Sequence, residues 1–344
     1  MTVARTRITL SSLILSSMPL VAVADQTGLM ELSLSDPTGG RATTGFVWYP
    51  AADTADTVLS LGNAVWEPIR VAPDAVPIPG SYPLVVLSHG MFGNARNQAW
   101  LAEGLVAAGF VVAAVDHPGT STFQRDPDQR RELWERPRDV SRVIDAVLDD
   151  PGIGPDIDAS RIYMAGHSLG GFTALLLAGA QFDPGRIDAF CTTNPGDLVC
   201  NIFNDWGVAK TPVDRVAISA DLSDPRIRAF AVFDLGGTQS FSLESLGAVA
   251  RPMLVYGAPV DIHGLDLDVE SRALVAALPD SSTMYHEPAT LAHFDFLGIC
   301  TERAIDILKE EEPDDVYVCE DGREDRKSEH RQIIAEVTDF FQGN

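Results

Sequence analysis

Histidine and cysteine are scarce in this 344-residue chain, seven and four residues respectively. Neither is spaced to hold a metal, since there is no Cys-x-x-Cys and no His-x-x-x-His. No Gly-rich phosphate-cradling loop is apparent, so neither metal nor cofactor is expected. Basic residues are few as well: 25 Lys and Arg stand against 49 Asp and Glu, a net charge of −24. That balance argues against nucleic acid and anionic membrane surfaces as partners. Past the first two dozen residues no apolar run is long enough to span a bilayer. No internal repeat is visible. What remains is 45% hydrophobic, enough for one large α/β core or two ordinary domains.

The first residues read as an address. Arg5 and Arg7 precede a serine-interrupted apolar stretch over residues 8–23, which ends in Ala22-Val23-Ala24. This predicts a signal peptide over residues 1–24, with 25–344 as the mature chain. No cysteine follows the cleavage point, so no lipid anchor is expected, and the protein should be periplasmic or secreted. Losing two arginines and no acid makes the mature charge −26. All four cysteines lie in the mature part, as suits an oxidising compartment. The two local pairs, Cys191 with Cys200 and Cys300 with Cys319, are the predicted disulfides. The acidic run over residues 310–315 predicts a solvated loop.

Apolar or alternating runs predict strands at residues 30–34, 45–50, 82–87, 110–115, 161–165, 227–233, 252–257 and 282–286. Helical spacing predicts helices near 95–108, 138–148, 172–180, 270–277 and 331–341. Residues 51–80, rich in Pro, Ala, Gly and Asp, read as a long connection. Strand alternating with helix, each strand apolar throughout, predicts a mostly parallel sheet of about eight strands with helices on both faces. Residues 181–226 break this rhythm, and a structureless insertion of that length predicts a lid-like segment ordered by its own disulfide.

The densest signal is Gly166-His167-Ser168-Leu169-Gly170-Gly171, set between a strand and a small-residue helix. Gly-x-Ser-x-Gly in that setting is a nucleophile elbow: the chain turns sharply at Ser168, and the glycines clear space around it. A serine hydroxyl needs a base, and the base needs a carboxylate that fixes its tautomer. The expected chain order is serine, acid, histidine. Four histidines follow Ser168. His330 sits among charged residues and reads as exposed; His286 belongs to the last short strand; His263 is too near Asp261 to be its partner from another loop. That leaves His293 as the base. Asp261 and Asp234 each follow a strand, and Asp261 is favoured because its strand neighbours the final one. Backbone N–H donors for an oxyanion are assigned to Leu169 and Met91. His89 then reads as a hydrogen-bonded support, and His117 as lining the pocket or holding a turn.

These residues resemble the α/β-hydrolase superfamily from about residue 45 to the C-terminus. The chain looks most like a secreted bacterial branch labelled predicted dienelactone hydrolase, related to platelet-activating-factor acetylhydrolases and polyester-cleaving cutinases. The resemblance rests on Val47-Trp48-Tyr49-Pro50, Ser88-His89-Gly90, Asp116-His117-Pro118-Gly119, Arg136-Pro137 with Asp139, the elbow, and Ala292-His293-Phe294-Asp295-Phe296. In that branch the acid usually follows the strand at 253–257, which implies Asp261. In the acetylhydrolases it follows the strand before, which implies Asp234. True dienelactone hydrolases carry a cysteine where this chain has Ser168, so the label does not name a substrate. The function implied is hydrolysis of small-molecule or polymeric carboxylic esters. Amide or peptide cleavage by the same triad is the alternative, and a non-catalytic binding protein on the same scaffold is the other.

Overall fold

The structure, a computed structural model, describes residues 26–36, 40–53, 55–261, 264–320, 322 and 325–344. The predicted signal peptide, residues 1–24, and His263 lie outside them. In chain order the elements are β1 (Gln26–Leu34), β2 (Thr43–Ala51), β3 (Val58–Ser60), β4 (Ile69–Pro73), β5 (Tyr82–Ser88), α1 (Ala99–Ala107) and β6 (Val111–Val115). There follow α2 (Pro127–Arg130), α3 (Glu135–Asp149), β7 (Ile157–His167), α4 (Leu169–Ala178), α5 (Pro184–Thr193), α6 (Leu198–Trp206), α7 (Pro212–Ile218) and β8 (Ile227–Phe233). The last third holds α8 (Leu243–Gly247), β9 (Met253–Tyr256), α9 (Ser271–Ala277), β10 (Thr283–His286), α10 (Ala304–Glu311) and α11 (Arg326–Gln342).

One sheet runs in the order β10-β9-β8-β7-β5-β6-β2-β1-β4-β3. From β6 to β10 neighbouring strands are parallel; β2 pairs antiparallel with β6, and β1 with β2. The strands are apolar throughout because both faces are covered. In β5, Leu84 and Val86 enter one buried cluster with α3 and α4, while Val85 and Leu87 enter the other with α1 and α11. In β6, Val111 and Ala113 divide from Val112 and Ala114 in the same way.

All eight strands expected from the sequence are present. The described residues add two, β3 and β4, inside the stretch read as a connection. They form the far edge of the sheet, and β3 is three largely exposed residues. β3 has no buried face to force an apolar alternation, and β4 buries only the adjacent Val71 and Ala72, which do not alternate. The acidic run is likewise not a plain loop. Residues 311–315 are exposed as expected, but they end α10 and begin a 3-10 helix, Pro313–Cys319.

Residues 181–226 are more regular than their composition suggests: they hold α5, α6 and α7. Each helix has a capping side chain, Asp183, Asp197 and Thr211, accepting from N–H groups of its first turn. Proline occupies the first position of α5 and α7. At 10, 9 and 7 residues they are too short for periodicity to announce them. Disulfides join Cys191 to Cys200, tying α5 to α6, and Cys300 to Cys319, closing the α10 segment. The second closes a span of 19 residues, so replacing both of its cysteines by serine is expected to cost about 3 kcal/mol. Urea unfolding of the double variant measures this.

The sheet also decides where a ligand would sit. From β5 the chain runs out to β6, then returns past β5 to β7. The connections leave in opposite directions, so a crevice opens at the carboxyl ends of β5 and β7.

Candidate active site

Ser168 follows β7 directly and takes φ 54°, ψ −118°, a conformation L-residues rarely hold and one that costs on the order of 1–3 kcal/mol. The strain is held by its surroundings. The Ser168 N–H donates to Phe233 O at 2.9 Å, and Gly171 and Phe172 N–H close on Ser168 O. The glycines are sterically required: a Cβ on Gly166 would lie 2.2 Å from Gly170 O, and one on Gly170 would lie 1.9 Å from Ser88 O. The elbow is thus packed directly against the end of β5.

The histidine that reaches this edge is His293, at the start of a 3-10 turn, His293–Phe296. It is 4% exposed. Its backbone is fixed from the elbow itself, because His167 Nε2 donates to His293 O at 2.8 Å. Asp295, fully buried, accepts from the N–H groups of Ala292 and Gly322 and faces Arg326. Burial pushes the His293 imidazole below its ordinary value, so at neutral pH the ring is neutral and can accept a proton.

The carboxylate against that ring is Asp234. His293 Nδ1–H donates to Asp234 Oδ2 at 2.7 Å, while Asp234 Oδ1 accepts from Ala258 N–H at 3.0 Å. Asp261, favoured on sequence, is not in this place. It is exposed, and its Oδ1 accepts from Gly264 N–H at 2.6 Å, a turn-forming role. The reason is sheet order. Asp234 stands one residue past β8, the strand bonded to β7, which leads into Ser168, and φ 41° swings it inward. Asp261 stands five residues past β9, one strand farther out, where the chain has turned to pair with Leu291 and Ala292. Beneath Asp234, buried Glu270 accepts from Gly237 and Thr238 N–H at 2.8 and 2.7 Å, and burial pushes its carboxyl up to about 8. Its role in securing this loop was invisible in the sequence, where it marked only a helix start.

Met91 follows β5 through His89 and Gly90, and a Cβ on Gly90 would come within 3.1 Å of Ser168 Cβ. Leu169 is the first residue of α4, so its N–H has no partner within the helix. The dipole of that helix favours negative charge at the same point. Gly90, Met91, His167, Ser168, Leu169 and His293 all line one cavity of about 560 Å³. Its walls are largely apolar: Trp66, Phe92, Phe294 and Tyr317, together with Leu198, Ile202, Phe203 and Trp206 of α6. Both disulfide-bearing segments therefore contribute to it.

The remaining described histidines make their contacts elsewhere. His89 donates from Nδ1 to Gly90 O and accepts the His117 N–H at Nε2, a support as expected. His117 is fully buried, with Nδ1–H on Asp139 and Nε2 accepting from Ser88 Oγ at 2.9 Å. His286 contacts Glu336 at 2.8 Å. His330 is not exposed, contrary to its charged sequence neighbours. It stacks on Trp100 at 3.6 Å between ring centroids and donates to Asp295 O at 2.7 Å.

This chain belongs to the Alpha/beta hydrolase family, whose model matches residues 85–341. Among curated relatives it is similar to Cutinase 2 of Thermobifida cellulosilytica, at 31% identity over 144 residues, covering 41% of this chain and 48% of that one. Cutinase est1 of Thermobifida alba is 35% identical over 105 residues, 30% of this chain and 32% of the relative. A bis(hydroxyethyl) terephthalate hydrolase of Streptomyces coelicolor is 25% identical over 181 residues, 52% and 51% of the two chains. The matches thus span about half or less of these relatives' length. Among solved structures, a ferulic acid esterase from Streptomyces cinnamoneus superposes with a TM-score of 0.62 at 20% identity, covering 95% of this chain and 92% of that one. At that identity it speaks for the fold.

Proposed function

We propose that the protein is an exported carboxylic ester hydrolase that works through an acyl-enzyme on Ser168. His293 is the general base, Asp234 orients it, and the N–H groups of Met91 and Leu169 receive the oxyanion. One observation carries this reading: a buried imidazole with its Nδ1–H on a carboxylate lines the same cavity as a serine on a strained elbow. Ser168 Oγ attacks the ester carbonyl carbon as His293 Nε2 takes its proton. The tetrahedral oxyanion collapses, the alkoxide leaves with the proton held on His293, and the acyl group stays on Ser168. Water repeats the sequence and releases the acid.

The cutinase and terephthalate-ester names among the relatives support ester over amide substrates, and the apolar walls suit an acyl or aromatic group of a small-molecule or polymeric ester. Two disulfides, the acidic surface and the apolar N-terminus support export. The narrower kinship is with the secreted bacterial branch labelled predicted dienelactone hydrolase and its acetylhydrolase relatives, and the contact of Asp234 with His293 supports the acid position that the acetylhydrolases imply.

An alkyl phosphonate carrying a p-nitrophenyl leaving group tests the reading. The expected result is stoichiometric p-nitrophenol release with one adduct, mapped to Ser168, and loss of p-nitrophenyl ester hydrolysis in proportion. Hydrolysis that continues in fully labelled protein would sink it.

A further inference from the structure

We propose that Arg136 is the positioning residue of the oxyanion pocket, a single guanidinium that holds both amide donors in register from behind. The inference rests on the ester-hydrolase reading above, whose pocket it concerns.

Arg136 lies in the first turn of α3 and is 1% exposed. On one side its Nε–H donates to Thr173 Oγ1 at 2.9 Å, and Thr173 Oγ1–H donates to Leu169 O at 3.0 Å. That carbonyl belongs to one of the two donor residues. On the other side Nη2 donates to His89 O and to Ser88 Oγ. Nη1 donates to Thr120 Oγ1 at 2.6 Å, and Thr120 O accepts from Phe92 N–H at 2.8 Å. His89 and Phe92 bracket Met91, the second donor residue. The two donors come from different strand ends, β5 and β7, and a side chain that reaches both fixes the distance between them.

Arginine is the residue for this task. Its planar fork presents five N–H groups at fixed angles, whereas lysine offers a point charge on a flexible stem. Its charge is also left over. Among the described residues every hydrogen bond of Arg136 goes to an uncharged oxygen. The nearby carboxylate, Asp139, is bonded instead to Arg41, Arg142 and His117. Burying a cation without a contacting anion is costly, and a neutral brace would avoid the cost. Behind a pocket where negative charge develops, the same cation favours the transition state.

The test uses the full chain with reactive serines counted by phosphonate titration, so that kcat refers to folded sites. Arg136→Lys is expected to lower kcat for a p-nitrophenyl ester about 10²-fold while leaving KM nearly unchanged. Inhibition by a trifluoromethyl ketone, which forms the tetrahedral adduct, should weaken in step with kcat/KM. Thr173→Val should show the same pattern more mildly, with Thr173→Ser restoring it. Variants that lose thermal stability but keep wild-type kcat per titrated site and wild-type ketone affinity would overturn the proposal. Should Arg136→Lys not fold, the Thr173 pair decides: Val and Ser variants alike in both readouts would overturn it. Wild-type protein that never reacts with the phosphonate would instead overturn the hydrolase reading, and this inference with it.

Discussion

Asp234→Asn is expected to lower kcat about 10⁴-fold, because an amide in that place favours the wrong imidazole tautomer while leaving the geometry intact. Asp234 Oδ2 sits 2.7 Å from His293 Nδ1, so the carboxylate holds the ring with its Nε2 lone pair toward the cavity. An asparagine could present its NH₂ to Nδ1, which would move the ring proton to Nε2 and aim a donor at Ser168. Asp261→Asn is the matched control. That side chain is exposed and bonded to Gly264 N–H, a bond the asparagine carbonyl can keep, so its kcat should stay within about twofold. Both variants are compared per phosphonate-titrated site. A large loss at Asp261 with little at Asp234 would reverse the assignment.

The contrast between these two aspartates shows what could be read in advance. The strand run, the sharp turn at Ser168 and the placing of His293 on the same edge were legible because each is fixed by a local constraint. A strand buried on both faces must be apolar, a strained turn packed against β5 must have glycine beside it, and only a few histidines follow Ser168. Which aspartate meets His293 was not legible, because either strand end meets every local rule. The choice turns on which strand lies against β7 and on one residue at φ 41°, facts of tertiary arrangement. Two partial signals existed. Asp234 directly adjoins its strand, and the Leu235-Gly236-Gly237 that follows supplies an αL position at Gly237, φ 102°.

The burial of His330 was hidden for a related reason. Of its charged sequence neighbours Lys327 and Arg331 face solvent while Arg326 and Glu329 are buried, a difference charge alone does not reveal, and its own partners, Trp100 and Asp295, lie far away in the chain. The helices of residues 181–226 escaped notice because capping residues and prolines also mark loops. What this segment provides, an apolar wall beside Ser168 from α6, is a property of where those helices dock.

Lowering the pH from 7 to 5 is expected to destabilise the fold by several kcal/mol, through histidines that are buried neutral. Burial holds His117 and His330 down to about 3; His89 is likewise lowered, with the Arg136 charge adding to burial. In the unfolded chain these rings take up protons near the ordinary value of about 6.5. Between the two values the unfolded state binds more protons, so stability rises with pH through this window. It is fully present above about 6.5 and is lost as the pH falls toward the folded values, at up to about 1.4 kcal/mol per pH unit for each ring. Glu270 works in the opposite sense, since its carboxyl is pushed up to about 8. The folded state then holds its proton while the unfolded chain has released it, which offsets one histidine over the same range. The balance favours acid lability. Urea midpoints measured from pH 7 to 5 should therefore fall steeply. In His330→Phe, which keeps a ring on Trp100 but cannot be protonated, the slope should lessen by about one proton. A flat midpoint across that range, or an unchanged slope in a folded His330→Phe variant, would show that these rings are not the groups that titrate on unfolding.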